Sequence, residues 1–114
     1  MGLNNNVRLI GYSGGDPEVK TVKGEGRKMA RFTLATNDFY YNEKKELQKN
    51  VTWHNMLAWG KTAELVEKLI KKGQFIAING EIQNRSYDDK DGNRRFYSEI
   101  VIDEFMLLDK KTSE

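Results

Sequence analysis

The sequence has 114 residues, enough for one hydrophobic core and too few for two ordinary domains. Lys plus Arg (19) barely exceed Asp plus Glu (17), so a net charge of +2 says little about a polyanionic partner, and any such case rests on where the charges lie. The absence of cysteine excludes disulfides and thiolate metal sites, and a single histidine, His54, excludes a multi-histidine metal site.

No apolar run approaches the ~20 residues of a membrane helix. The start "MGLNNNVRLIG" lacks the charged and apolar regions of a signal peptide, and Asn6 stands where a myristoylation motif beginning at Gly2 wants Ser or Thr. These features lead us to expect a soluble, cytoplasmic protein without a cofactor.

"NVRLIGY", residues 6 to 12, sets Val7 and Leu9 against Arg8 and Ile10 and runs into "SGGDP", a turn signal that holds the only proline. A first strand therefore leaves its sheet between Gly14 and Pro17. A short strand follows at Val19 to Val22, then a Gly24 to Gly26 turn, then a strand at Ala30 to Thr36 with Phe32 and Leu34 on one face. "NDFYYNEKKELQKN", from Asn37 to Asn50, reads as a solvated loop or hairpin in which Phe39, Tyr40 and Tyr41 stand out.

"VTWHNMLAWG", residues 51 to 60, is a strand with Trp53, Asn55, Leu57 and Trp59 on one face and Thr52, His54, Met56 and Ala58 on the other. Both faces carry apolar groups, so periodicity alone leaves the two tryptophans divided between core and ligand. "KTAELVEKLIKKG", residues 61 to 73, predicts a helix with Leu65, Val66, Leu69 and Ile70 as its apolar stripe, Thr62 as N-cap, Lys71 and Lys72 at the negative end of the dipole and Gly73 as C-cap. "FIAINGEI" (75 to 82) and "FYSEIVIDEFMLL" (96 to 108) are strands joined by a segment whose Asp91-Gly92 signals a hairpin turn.

Strands, one helix and further strands without βαβ alternation indicate an all-β fold with one helix. The arrangement that fits is the OB-fold, a five-stranded Greek-key barrel with the helix between strands 3 and 4. It would occupy residues 1–108, with 109–114 as a short polar tail.

Catalysis has little to work with. His54 has no partner at a recognisable spacing, "GEGRKM" lacks the third glycine of a dinucleotide fingerprint, and "GYSGGD" lacks the Lys and Ser/Thr of a P-loop. Asp88, Asp89 and Asp91 stand beside Arg85, Lys90, Arg94 and Arg95 and read as solvated charge rather than a metal cage. What remains is aromatic interleaving. Tyr40, Trp53, Trp59 and Tyr87 lie among cations, the pattern that stacks unpaired bases and follows a phosphate backbone. Phe32, Phe75 and Phe105 read as core residues.

Five segments, "LIGYSGGDPEVK", "FTLATN", "TWHNMLAWGKTAELVEKLIKKG", "INGEIQNRSYDDKDGNRRFYSEIVI" and "EFMLL", in this order and spacing, resemble the bacterial single-stranded DNA-binding protein family from Asn6 to Leu108. The resemblance implies an OB-fold homotetramer, nucleoid-associated in the cytoplasm, that wraps single-stranded DNA during replication, recombination and repair. It implies stacking by Tyr40, Trp53, Trp59 and Tyr87 and a subunit contact by His54. It leaves a further stacking position in the helix occupied by Leu69, which the helical stripe assigns to the core.

Phosphate contacts are expected from Arg8, Arg31, Lys49, Arg85, Arg94 and Arg95. The sequence ends at Glu114 without the acidic tip by which many relatives recruit replication and repair proteins, so that recruitment is not implied. Competing readings are an OB module for RNA, a primosome-like accessory protein and a pure assembly module with the aromatics as interface core.

Overall fold

A computed structural model describes residues 3–22, 24 and 26–108. The expectations for Gly2 and for the tail at 109–114 lie outside the described residues. The elements are β1 (Val7–Ser13), β2 (Glu18–Thr21), β3 (Lys28–Tyr41), β4 (Leu47–Trp59), α1 (Gly60–Leu69), β5 (Phe75–Asp88) and β6 (Arg94–Leu107). They form one sheet in the order β1-β5-β6-β4-β3-β2, which closes on itself where Tyr12 and Ser13 of β1 meet Ala35 and Leu34 of β3.

Five strands thus make the barrel, as expected, and β2 continues its edge along β3. The helix falls between the third and fourth barrel strands, which are β4 and β5. No helix among the described residues is long and apolar enough to cross a membrane.

Alternation decides what faces inward. Ala30, Phe32 and Leu34 of β3, Met56 and Ala58 of β4, Ile76 and Ile78 of β5, and Ile100 and Ile102 of β6 are buried in one cluster, joined by Ala63, Val66 and Ile70. The opposite parity of β4, carrying Trp53 and Trp59, is therefore the outer face. Of the three phenylalanines expected in the core, Phe32 is buried and Phe105 packs against the cluster half-buried. Phe75 is half-buried and stacks obliquely on Tyr12, with ring centroids 4.8 Å apart.

Closure needs two backbones to come very close. A Cβ on Gly11 would strike the carbonyl of Ala35, and one on Gly80 would strike the carbonyl of Val101 beside a register shift between Asn79 and Gly80. Only glycine fits at such approaches.

The helix differs from its expectation at both ends. It starts after Trp59, whose extended backbone caps it without a side-chain bond, so Thr62 is not the N-cap. It ends at Leu69 rather than running to Gly73, because Ile70 turns extended (φ −96°, ψ 127°) and drops fully buried into the core.

Three residues, Ala63, Val66 and Ile70, make the packed stripe. Leu65 (49% exposed) and Leu69 (39%) lie outside it, so the core assignment of Leu69 does not hold. Gly73 serves the following turn instead, at φ +82° with its N–H bonded to the Ser13 carbonyl. The Ser13 hydroxyl fastens the same turn by donating to the Lys71 carbonyl and accepting from the Gln74 N–H.

Residues 37–50 are a hairpin, and its strands run further than expected, to Tyr41 and from Leu47. The turn is closed by Asn42, whose Oδ1 accepts the N–H groups of Lys44 and Glu46 at 2.9 Å each. Asp89 does the same on the β5–β6 hairpin, accepting from Asp91 (3.0 Å) and Asn93 (2.9 Å), with Gly92 at φ +80° as the Asp-Gly signal anticipated.

Replacing Gly11 by alanine should lower stability by about 1–3 kcal/mol, the cost of forcing a methyl against backbone. Urea unfolding measures this, and an unchanged midpoint would contradict the closure described.

Candidate nucleic-acid interface

The outer face of β3, β4, β6 and β5 is one continuous surface, because β4 and β6 run side by side in parallel at Met56↔Ile100 and Leu57↔Val101. Register places Arg31 and Thr33 of β3 beside Leu57 and Asn55 of β4, and Gln83, Arg85 and Tyr87 of β5 beside Glu99, Tyr97 and Arg95 of β6. Trp53 lies on this face, 60% exposed, its ring against Gly14, where a Cβ would strike it. Trp59, half-buried at the end of β4, lies under the Arg27 guanidinium, 4.6 Å from its ring centroid. Tyr87 is 55% exposed and meets Tyr97 edge-on at 6.0 Å between ring centroids.

Across the β4–β6 junction stretches an ion-pair bridge. Arg31 donates through Nε to Glu99 Oε2 at 3.1 Å, and Arg85 through Nε to Glu99 Oε1 at 2.7 Å, while Arg85 Nη2 also reaches Gln83 Oε1 at 3.0 Å. Glu99 is 2% exposed although it belongs to the outer face. Leu57, also on that face, is fully buried. Arg31, Thr33, Asn55, Tyr97 and Glu99 line a groove of about 410 Å³ along this junction.

Of the remaining expected residues, Arg95 and Lys49 keep the parity of this face towards the hairpin ends, and the others are dispersed. Tyr40 is 54% exposed opposite Gln48 on the β3–β4 hairpin, and alternation puts it on the parity of Leu34 and His54, away from Trp53. Lys49 is exposed on the same hairpin, opposite Phe39. Arg95 donates to Asp89 Oδ2 at 2.8 Å and Arg94 lies 3.6 Å from Asp88 Oδ1, both within the β5–β6 hairpin. The backbone N–H of Asn93 and then the Arg95 side chain hold the Asp89 carboxyl below the usual carboxylate range. Arg8 lies on β1, opposite Asn79, beside a depression lined by Ala77, Phe105 and Met106. Since β1 does not pair with β4, the face does not gather Arg8 in.

His54 takes the inner parity of β4 near the barrel mouth, half-buried, with Nε2 2.9 Å from the Thr36 hydroxyl. Burial lowers its pKa from the ordinary value.

Sequence reading missed Arg27, Tyr97 and Glu99. A signal for two of them was present, since alternation through "FYSEIVI" sets Tyr97 and Glu99 on one face with Val101. Nothing in the sequence pairs Arg27, on the β2–β3 turn, with Trp59 at the end of β4.

The model of the single-strand binding protein family matches residues 4–108. The single-stranded DNA-binding protein 1 of Chlorobaculum tepidum is 38% identical over 96% of this chain and 67% of its own length. The single-stranded DNA-binding protein 3 of Clostridium acetobutylicum is 42% identical over 92% of this chain and 71% of its own. Among solved structures, a Plasmodium falciparum SSB complex with ssDNA superposes with a TM-score of 0.85 at 27% identity, covering 96% of this chain and 98% of that one.

The ring-proton titration of His54 by NMR should have its midpoint below 6.5. A folded-state pKa below the unfolded one means that the unfolded chain binds the proton first. The neutral-histidine contribution to stability is then complete above 6.5 and is lost as pH falls towards the folded value. A midpoint at or above 6.5 would contradict the half-buried placement.

Proposed function

Because the chain belongs to the single-strand binding protein family, we propose that it binds single-stranded DNA without reading its sequence. It is a binding protein, not an enzyme, as its relatives are. It protects exposed strands during replication, recombination and repair, in the nucleoid, as a homotetramer.

The observation that carries this reading is Trp53, a large ring 60% exposed on a strand, on the same face as Tyr87 and the arginines Arg31, Arg85 and Arg95. A soluble surface leaves such a ring in water when something else is to cover it. An unpaired base covers it without regard to identity, because every base has a π-face, and each stacked base contributes ~1–3 kcal/mol. Trp59 and Tyr87 extend the track along the outer face, Lys49 adds to it from the β3–β4 hairpin on the parity of Trp53, and Tyr40 would take a base on the other side of that hairpin.

Assembly has its own supports. Among the described residues, Val7 to Gly11 of β1 pair on one edge, to β5, and an unpaired edge invites a second strand. The outer surface of β1, β5 and β6 carries Ile10 (52% exposed), Tyr12 (45%) and Met106 (64%) next to one another by register. An edge contact and a face contact are two different isologous contacts, which is what a tetramer with dihedral symmetry requires. We place His54 at a further subunit contact, which fits its half-buried position at the barrel mouth.

Replacing Trp53 by alanine should weaken oligo(dT) binding by about 1–3 kcal/mol, or roughly 5- to 150-fold, with Tyr87→Ala in the same range. Fluorescence anisotropy of a labelled oligonucleotide measures it, and affinities unchanged by both substitutions would overturn the stacking role. Sedimentation of His54→Lys and of Met106→Asp at nanomolar protein should each show species smaller than wild type. Wild-type sedimentation of both would remove the proposed contacts.

A further inference from the structure

We infer that Glu99 is a positioning residue for the nucleic-acid face, its buried carboxylate holding Arg31 and Arg85 as a preset clamp for backbone phosphates. The inference rests on the single-stranded DNA reading above. It starts from an oddity of placement. Glu99 stands on the outer face of the barrel yet is 2% exposed, while the two arginines bound to it remain 42% and 39% exposed along their side chains.

A guanidinium has five N–H donors, and both of these reach the carboxylate through Nε. The Nη groups take no part in these two bonds, and within the bridge Arg85 uses one of them to reach Gln83. Each carboxylate oxygen accepts from one arginine, and at 2% exposure the remaining lone pairs of Glu99 are out of a ligand's reach. Its hydrogen bonds go to the two cations alone, so apart from its charge it acts through them.

The bridge spans β3, β4, β6 and β5 at the level of the groove, with Trp53 and Trp59 on β4 and Tyr87 on β5 around it. A buried ion cluster is a poor stability device, since apolar groups of the same shape often serve as well. The bridge itself carries one net positive charge, beside a groove that Glu18 also lines and between rings that would stack bases. A backbone passing between those rings brings its phosphates to this position.

Arginine is a long and flexible side chain, and ordering two of them at the moment of binding would cost affinity. Prior fixation by Glu99 removes that cost.

The sign of the effect separates positioning from simple charge. Glu99→Gln keeps the shape and removes a negative charge from the DNA-facing side. Coulomb attraction alone would then make binding tighter, whereas loss of two prepositioned arginines makes it weaker, by about tenfold.

Titration of oligo(dT) into wild type and Glu99→Gln at low salt, with circular dichroism to show that the variant is folded, decides between them. Glu99→Met gives a second, apolar replacement should the amide not fold. Arg85→Gln supplies the independent readout, because loss of one phosphate contact on a single strand lowers the slope of log K against log[salt] by about 0.7.

Weaker binding by Glu99→Gln together with that smaller slope is the expected result. Equal or tighter binding by Glu99→Gln, or an unchanged slope for Arg85→Gln, overturns the inference. If wild type itself fails to bind oligo(dT), the reading beneath it falls instead.

Discussion

The parallel contact between β4 and β6 is the constraint on which everything else depends. It is only two residue pairs long, Met56↔Ile100 and Leu57↔Val101, yet it joins the β3–β4 and β5–β6 hairpins. Parallel neighbours cannot be joined by a tight turn, and here the connection passes through α1 and β5 before β6 returns. On the inner side of the contact Met56 and Ile100 enter the core, and on the outer side Glu99 gathers an arginine from each hairpin. The same short ladder therefore joins the two halves of the barrel and creates the surface on which the rings and cations meet.

From that junction the hairpins project as two arms, each stiffened at its tip by an Asn or Asp side chain that accepts two backbone N–H groups. Beyond the barrel the arms have little core to bury, and Phe39, Tyr40, Tyr41, Tyr87 and Phe96 are all more than half exposed. So much exposed aromatic surface suits a long flexible polymer that lies along a surface rather than a small ligand held in a cavity. Rigid strands keep the rings in place, so little ordering is left to do when the polymer arrives.

Much of this was legible in the sequence where a pattern has one solution. Alternation in "VTWHNMLAWG" put Trp53 and Trp59 together and opposite His54, and the Asp91-Gly92 pair marked its turn. The helix was harder, because "ELVEKLI" presents four apolar residues and a barrel end accepts a narrow stripe. Val66 and Ile70 occupy it and Leu65 and Leu69 do not, a choice made by the direction in which the helix crosses the core.

The charged residues were legible least. Periodicity says which face Arg31 and Arg85 share, but not that one buried carboxylate lies between them, since Glu99 is 68 positions from Arg31 and 14 from Arg85. Arg8 looked equivalent to them in sequence and lies instead on the β1 surface with Ile10 and Tyr12.

The most direct test of the central claim is a titration of wild-type protein with poly(dT), read by tryptophan fluorescence at two salt concentrations. Stacking on Trp53 and Trp59 predicts strong quenching. Phosphate contacts predict an affinity that falls steeply as salt rises, by about 0.7 logarithmic units per tenfold change in salt for each phosphate neutralised. Fluorescence that does not respond to saturating poly(dT), with no binding at low salt, would contradict the function assigned to this face.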